Sequence, residues 1–377
     1  MLPGMQPAAD HAERLARLRL IRSENVGPVN FARLVQRFGT AAEALDALPE
    51  IASRAGRKRL RICPASDAER EWQSLEKLGA RFLMSGDPDY PEPLAEIDSA
   101  PPVLAALGNL SLLDRPVFAI VGARNASANG RTLCRRITAE LGQSGLVIAS
   151  GLARGIDAEA HEAALPTGTV AAIAGGIDVV YPPENERLHH RIAEEGLILA
   201  EAPFNTQPRA RHFPRRNRII AGLSLGVLVV EAAMRSGSLI TARQAGEQGR
   251  EVFAVPGSPL DPRARGGNRL IRDGARLVES AADILDELGP GQRFSLRAPR
   301  AAVDPVAATI EIDPVSGDAD RGRAAILEAL GPEPAEADLV IRQTGLSSAA
   351  FNALALELEI AGRIERHAGN RYALAAG

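Results

Sequence analysis

The sequence predicts an α/β protein with a Rossmann-like, doubly wound, mostly parallel sheet, an N-terminal helical module and a C-terminal winged helix. Short apolar runs recur between residues 115 and 288 without polar alternation, as in strands that are buried on both faces. Helical stretches separate these runs, which favours parallel strands joined by crossover helices. Both ends of the chain instead show helical spacing of apolar residues. With 377 residues, the chain is long enough for two or three domains.

The N-terminal module is predicted over residues 10–79. Apolar residues recur there at helical spacing, and Asn25-Val26-Gly27-Pro28 marks a tight break between two helices. This pattern is similar to a helix-hairpin-helix or SAM-like unit. Such a unit is either a binder of the DNA backbone or a structural cap or dimerisation piece, and the residues leave both alternatives open.

The predicted core is an extended Rossmann-like domain over residues 80–288. Two short strands, Arg81–Met84 and Val103–Leu107, lead into it through a proline-rich stretch. The predicted strands of the parallel sheet are Val117–Val121, Leu146–Ser150, Thr169–Ala174, Leu197–Glu201, Val227–Glu231 and Glu251–Val255. Because ligands bind beyond the carboxyl ends of such strands, the loops that follow them are the candidate site.

The C-terminal part is predicted to contain a flexible linker over residues 289–320 and a winged helix over residues 321–377. The winged helix has three helices followed by a hairpin wing. Its third helix, Ser347–Ala361, contains Glu357 and Glu359 and no basic residue, and the domain holds six arginines against seven acidic residues. A recognition helix that faces phosphates should be basic. We therefore expect this domain to bind protein or a partner subunit.

Composition limits the classes of function. The net charge of −3 argues against a protein that is basic overall, and no apolar run is long enough to span a membrane. No secretory signal is recognised at the N-terminus, so we expect a cytoplasmic protein whose two cysteines, Cys63 and Cys134, are reduced. Of the 44 basic residues only Lys58 and Lys77 are lysines, so phosphate contacts would be made mostly by guanidinium groups.

The first two loops provide glycines and arginines. The first strand is followed by Gly122-Ala123-Arg124, which places an arginine where a dinucleotide-binding GxGxxG motif has its second glycine. Arg124 is therefore a candidate phosphate clamp. The second strand is followed by Gly151, Arg154 and Gly155 in a tight turn into a helix. Asp157 and His161 in that helix are interpreted as a capping and packing pair and not as an acid–base pair.

An arginine cluster follows the fourth strand, and it surrounds one aromatic residue. The predicted site residues there are Arg209, Arg211, Phe213, Arg215, Arg216, Asn217 and Arg218. Charge for a backbone and a ring for stacking are what single-strand binding needs. The alternative is a solvated basic face. After the fifth strand, Ser236, Gly237, Ser238 and Thr241 lie at a predicted helix start, which would attract an anion. No catalytic group, metal ligand set or cofactor is predicted.

The chain resembles the DNA-processing protein A (DprA/Smf) family. The motifs that carry the resemblance are residues 150–157, Tyr181-Pro182, residues 213–223, residues 236–242 and Pro256-Gly257. The resemblance implies a single-stranded DNA-binding protein that protects incoming DNA during natural transformation, dimerises and loads RecA recombinase. It also implies that Arg124 contacts phosphate, that Phe213 and its basic neighbours line the path of the strand, and that Ser236 faces it. Lysines are frequent in this groove of the family, and arginines replace them here.

A nucleotide-monophosphate phosphoribohydrolase on a related fold is the alternative function. Such enzymes carry a PGGxGTxxE loop, whereas this chain has Arg235-Ser236-Gly237-Ser238 at that place and no acidic residue at positions 242–244. The missing double glycine and the missing glutamate favour a protein that is not an enzyme.

Overall fold

The computed structural model describes residues 10–294, 316–367 and 369–375. These residues form two compact units. One unit holds residues 70–294, and the other combines residues 10–69 with the described residues after 316. Within the described residues no helix is long and apolar enough to cross a membrane. No group of His, Cys, Asp and Glu there could hold a metal ion.

The first unit is built on one nine-stranded sheet with the order β1-β2-β6-β5-β4-β3-β7-β8-β9. Strands β2 to β8 are β2 (Val103–Gly108), β3 (Val117–Gly122), β4 (Val147–Ser150), β5 (Thr169–Ile173), β6 (Leu197–Ala200), β7 (Gly226–Val230) and β8 (Glu251–Ala254), and the edges are β1 (Arg81–Met84) and β9 (Arg276–Leu277). Strands β3 to β9 are parallel, whereas β1 pairs antiparallel with β2 and β2 with β6. The predicted fold class is confirmed, and the two lead-in strands extend the same sheet.

Helices cover both faces of this sheet. They are α5 (Glu92–Ala95), α6 (Ala128–Gln143), α7 (Ile156–Ala164), α8 (Glu186–Glu195), α9 (His212–Leu223), α10 (Ser238–Glu247), α11 (Arg265–Arg272) and α12 (Ala281–Phe294). Two apolar clusters, one on each face, bury the central strands β3 to β7 almost completely. The chain reverses its direction across the sheet between β3 and β7, and doubly wound folds usually bind ligands at the carboxyl edge near such a point.

The second unit joins the two ends of the chain. Its helices are α1 (His11–Arg22), α2 (Pro28–Phe38) and α3 (Ala41–Arg54) from the N-terminus and α13 (Ser316–Ala329), α14 (Ala337–Thr344) and α15 (Ser348–Ile360) from the winged helix. The wing is β11 (Ile364–His367) and β12 (Arg371–Leu374), and β10 (Ala335–Glu336) pairs with β12. Helix α4 (Ala65–Lys77) follows the N-terminal helices in the chain.

The N-terminal helices and the winged helix share a core. Leu356 and Ile360 of α15 are buried in one apolar cluster with Phe31 and Leu34 of α2. Glu359 lies 3.3 Å from Arg33. The acidic third helix thus packs against the N-terminal module of its own chain. The expectation that the domain binds a protein or a partner subunit stays a prediction, because these contacts lie within one chain.

The predicted linker differs from the structure at its two ends. Helix α12 continues to Phe294, with a break at Gly289, and α13 already begins at Ser316. The remaining part of the predicted linker, residues 295–315, lies outside the described residues.

Candidate nucleic-acid interface

A pocket of about 250 Å³ opens at the carboxyl edge of the sheet. Loops after β3, β4, β5 and β6 all contribute to its lining, as expected for this fold. Five of the predicted site residues line it: Arg124, Gly151, Arg154, Phe213 and Arg216. The pocket therefore brings together residues that are up to 92 positions apart in the sequence.

Two aromatic rings and one exposed guanidinium form the open side of the pocket. The ring of Phe213 lies 5.8 Å from that of Tyr181, centroid to centroid, and the two planes are tilted by 53°. The guanidinium of Arg124 lies 5.4 Å from the Phe213 centroid, within the range of a cation–π contact. Arg124 is exposed and has no hydrogen bond or ion pair within the described residues. The N–H donors of its guanidinium are therefore available to a ligand.

Arg216 supports the floor of the pocket and is almost completely buried. Its guanidinium donates to the carbonyl oxygens of Gly151 and Ala172, at the ends of β4 and β5. A side chain at position 151 would overlap this guanidinium, so any larger residue there would have to displace it. Burial lowers the pKa of Arg216 to about 10, which still leaves it charged at neutral pH. Arg216 thus holds two strand ends together.

Asp157 and His161 hold the loop between β4 and α7. The Asp157 carboxylate accepts from the amides of Gly151 and Ala153 at 3.2 and 3.3 Å. Nε2 of His161 accepts from the amide of Leu152 at 3.3 Å. Both side chains are buried, and burial raises the pKa of Asp157 and lowers that of His161 to about 3. These contacts agree with the interpretation of a capping and packing pair.

The tautomer of His161 follows from its neighbour. Thr169 Oγ1 donates to the carbonyl oxygen of Ile148 at 2.8 Å, so it accepts from Nδ1 of His161 at 2.7 Å. His161 is therefore a neutral imidazole with its proton on Nδ1, and both ring nitrogens are engaged within the fold.

Gly122 and Gly155 allow two loops to approach each other. Gly155 has φ of 78°, and a side chain there would overlap the carbonyl oxygens of Ala123 and Arg124. Gly122, at the end of β3, is in similarly close contact with the carbonyl oxygen of Val230. These two glycines position Arg124 and do not line the pocket themselves.

The arginine cluster divides into exposed and buried members. Arg209, Arg211 and Arg215 are exposed, and none of them has an ion-pair partner within the described residues. Their charges add to partial burial in lowering the pKa of the neighbouring His212. Arg218 is buried and bonded to Glu201 and to the carbonyl oxygen of Ser99, so it is not available to a ligand of the pocket.

The start of α10 is linked to the pocket through Asn217. Asn217 accepts from Nε of Arg216 at 3.2 Å and donates to the carbonyl oxygen of Gly237 at 3.4 Å. The hydroxyls of Ser236 and Ser238 lie 2.7 Å apart. Ser238 and Thr241 are buried, whereas Gly237 is exposed. None of the four predicted residues at this helix start lines the pocket.

Tyr181 and Glu184 line the pocket but were not among the predicted site residues. Tyr181 was noted only as part of a family motif, although an exposed tyrosine in a loop after a parallel strand could have signalled a stacking surface. Glu184 lies 3.3 Å from Arg154, and both side chains are more than half exposed. Such a surface ion pair contributes about 0–1 kcal/mol, so an incoming anion could replace the carboxylate.

Comparison with known proteins assigns each part of the chain. Residues 81–289 match the family model of DNA recombination-mediator protein A, residues 11–74 match a DprA-like N-terminal HHH domain, and residues 305–370 match a DprA winged helix domain. Protein Smf from Synechocystis is 36% identical, over 93% of this chain and 96% of the relative. DNA processing protein DprA from Streptococcus pneumoniae is 50% identical, over 53% of this chain and 72% of the relative.

Two solved structures resemble the chain. DNA processing protein A from Streptococcus pneumoniae matches with a TM-score of 0.63 and 37% identity, covering 75% of this chain and 99% of that protein. A structure of the Helicobacter pylori protein, which concerns its single-stranded DNA binding mode, matches with a TM-score of 0.52 and 30% identity, covering 55% of this chain and 95% of that one. The chain belongs to the DNA recombination-mediator protein A (DprA/Smf) family.

Proposed function

We propose that this chain binds single-stranded DNA in the pocket and along the exposed arginines beside it. The observation that carries the proposal is the contact of Phe213 with Arg124 and Tyr181, in a segment that also holds the exposed Arg209, Arg211 and Arg215. Aromatic faces take up unpaired bases, and arginines follow the phosphates between them. The Helicobacter pylori relative, whose structure concerns single-stranded DNA binding, supports the same ligand.

Following the resemblance, we further propose that the chain protects incoming DNA in the cytoplasm, acts as a homodimer and loads RecA recombinase during transformation. Membership of the family is the support for these three roles. The net charge of residues 115–288 is only +2, so binding would depend on the local cluster of arginines at the pocket and not on the charge of the whole domain. Two copies of the chain would together contact twice as many phosphates of one DNA strand.

The contacts of Glu231 support a binding role over the phosphoribohydrolase alternative. Its carboxylate accepts from the amide of Ser127 at 2.8 Å and from the hydroxyl of the same residue, at the N-terminus of α6. Asp157 and His161 are likewise engaged by the backbone. Glu231, Asp157 and His161 thus support the fold, and release of free base from a nucleotide monophosphate would restore the enzymatic alternative.

The test is a fluorescence-anisotropy titration of an oligothymidine at several salt concentrations. We expect Tyr181→Ala and Phe213→Ala each to weaken binding by about 1–3 kcal/mol. The double variant should lose less than the sum, because the two rings form one surface. Tyr181→Phe, which keeps the ring, is the matched control. If all four variants bound as tightly as the parent protein, the pocket would be rejected. A RecA-loading assay tests the proposed loading of RecA separately.

A further inference from the structure

A second basic segment lies outside the pocket, at the end of α3. Residues 54–61 read Arg-Ala-Gly-Arg-Lys-Arg-Leu-Arg and hold five basic residues and no acidic one. This local charge contrasts with the net charge of −3 of the whole chain. The segment also contains Lys58, one of only two lysines.

Arg57 fastens this segment to the winged helix. Its guanidinium donates to Glu24 at 2.7 Å, to the carbonyl oxygen of Ala361 at 3.2 Å and to that of Arg59 at 3.2 Å. Leu60 packs against the apolar core of the N-terminal helices. These contacts anchor the segment to the second unit, and the neighbouring side chains project from the anchored turn.

Four cations at this turn are not used by the fold. Lys58, Arg59 and Arg61 are exposed, and their side chains have no hydrogen-bond or ion-pair partner within the described residues. Arg363, at the entrance to the wing, is also exposed, and its guanidinium lies 3.5 Å from the position that a Cβ of Gly56 would occupy. We call these four residues the basic surface. It is composed of residues from both ends of the chain.

The elements that usually contact DNA in such domains are covered. The break between α1 and α2 faces the winged helix, because the Asn25 amide donates to the carbonyl oxygen of Ile360 at 3.0 Å. The third helix of the winged helix, α15, is buried at eight of its thirteen positions. The basic surface is at the edge of this contact and stays exposed.

The side chains of the basic surface indicate the kind of partner. Protein interfaces need apolar or aromatic anchors at their centre, and single-strand binding needs stacking rings. Residues 54–61 contain neither an exposed apolar side chain nor an aromatic one. Cations that project from an anchored turn, with no aromatic ring among them, suit the regularly spaced phosphates of a double helix.

We propose that the basic surface binds the phosphate backbone of duplex DNA. The chain would then hold a single strand in the pocket and a duplex at the second unit. This inference does not depend on the function proposed for the pocket, because the residues belong to the other unit of the chain.

The test compares two triple variants of the full chain, K58A/R59A/R61A and the control R136A/R321A/R342A. Both remove three positive charges, but the control arginines are each bonded within the protein. Binding of a fluorescent duplex is measured against salt concentration. Each lost phosphate contact reduces the slope of log affinity against log salt by about 0.9. The slope should therefore fall by about 2.7 in K58A/R59A/R61A and stay unchanged in the control. Arg363→Ala should lose about 0.9.

Single-stranded oligothymidine provides the second arm. We expect its affinity to change less than twofold in either triple variant, and thermal melting must show that both variants are folded. An unchanged duplex slope in K58A/R59A/R61A overturns the proposal. An equal change of the duplex slope in the control variant also overturns it, because this would indicate an effect of overall charge. A loss of affinity confined to single-stranded DNA overturns it as well.

Discussion

The guanidinium of Arg124 lies over the ring of Phe213, 5.4 Å from its centroid. Arg124 lies in the loop after β3 and Phe213 in the first turn of α9, and each offers a different interaction with a nucleic acid. The ring provides stacking, which is insensitive to salt, whereas the guanidinium contributes charge, which releases counterions. The two contributions can therefore be separated by experiment.

Arg124→Ala should weaken oligothymidine binding and flatten its salt dependence by about 0.7 in slope. Phe213→Ala should weaken binding by about 1–3 kcal/mol and leave the slope unchanged. Anisotropy titrations between low and moderate salt measure both quantities. Phe213→Trp keeps an aromatic face and should retain affinity. If Phe213→Ala changed the slope as much as Arg124→Ala does, the ring would act only by positioning the arginine.

Glu184→Gln should strengthen binding of single-stranded DNA. The carboxylate pairs with Arg154 at 3.3 Å at the rim of the pocket, so a phosphate must replace it before Arg154 can engage the strand. Removing this competing charge should improve affinity by up to about fivefold at low salt, since exposed pairs are worth about 0–1 kcal/mol. Glu162→Gln is a control, because Glu162 pairs with Arg191 away from the pocket lining. Weaker binding by Glu184→Gln would show that Glu184 is a positive determinant.

The arginine cluster should separate into members that affect binding and members that affect stability. Arg209→Ala, Arg211→Ala and Arg215→Ala should each reduce the salt slope by about 0.7 and leave the melting temperature unchanged. Arg218→Ala should instead destabilise the protein by about 2–4 kcal/mol, because it leaves Glu201 without its buried partner. Urea denaturation and the oligothymidine titration distinguish the two effects. A stable Arg218→Ala protein with a reduced slope would contradict this division.

The sequence predicts the strands of the sheet well, but it does not predict which arginines of the arginine cluster are exposed and which are buried. The reason is physical. Parallel strands are recognisable because both faces are buried, so the predicted strand Val227–Glu231 is apolar up to Val230. In contrast, adjacent arginines of α9 point to different sides of one helix. Arg215 is exposed while Arg216 is buried, and the groups that accept its hydrogen bonds are 44 and 65 residues away. No local pattern reveals such distant partners.

The same limit applies to the winged helix. Its acidic third helix favours a contact with protein over one with DNA, and the structure shows this helix largely buried within its own unit. The partner, however, is specified by the pairing of Glu359 with Arg33, 326 positions apart, and by Leu356 packing with Phe31. Glu359 in isolation looks like a solvated charge, and only its burial shows that it belongs to an interface.

Acid should destabilise the protein through His161. Burial lowers the pKa of His161 in the folded state to about 3, whereas in the unfolded chain it is about 6.5. As pH falls from about 6.5 towards 3, only the unfolded chain takes up the proton, so stability decreases by about 3 kcal/mol at pH 4. The raised pKa of Asp157 acts in the opposite direction, because the folded state is protonated first.

His161→Gln isolates the histidine contribution. Glutamine can accept from the Leu152 amide and donate to Thr169, but it does not titrate. Urea denaturation at pH 7, 5.5 and 4 should show a smaller loss of stability in the variant than in the parent protein. Parallel pH profiles of the two proteins would mean that another group controls the acid transition.

Arg33→Ala should destabilise the second unit by about 1–3 kcal/mol. The substitution leaves Glu359 buried without its partner, and burial already raises the pKa of this carboxyl group. The double variant R33M/E359M should recover most of the loss, because apolar replacement of a buried ion pair is close to neutral. Thermal denaturation measures all three proteins, and oligothymidine affinity should stay the same, because the pocket lies in the other unit. If Arg33→Ala melted like the parent protein, the ion pair would contribute nothing, and the apolar contact of Leu356 and Ile360 alone would hold α15 against the N-terminal helices.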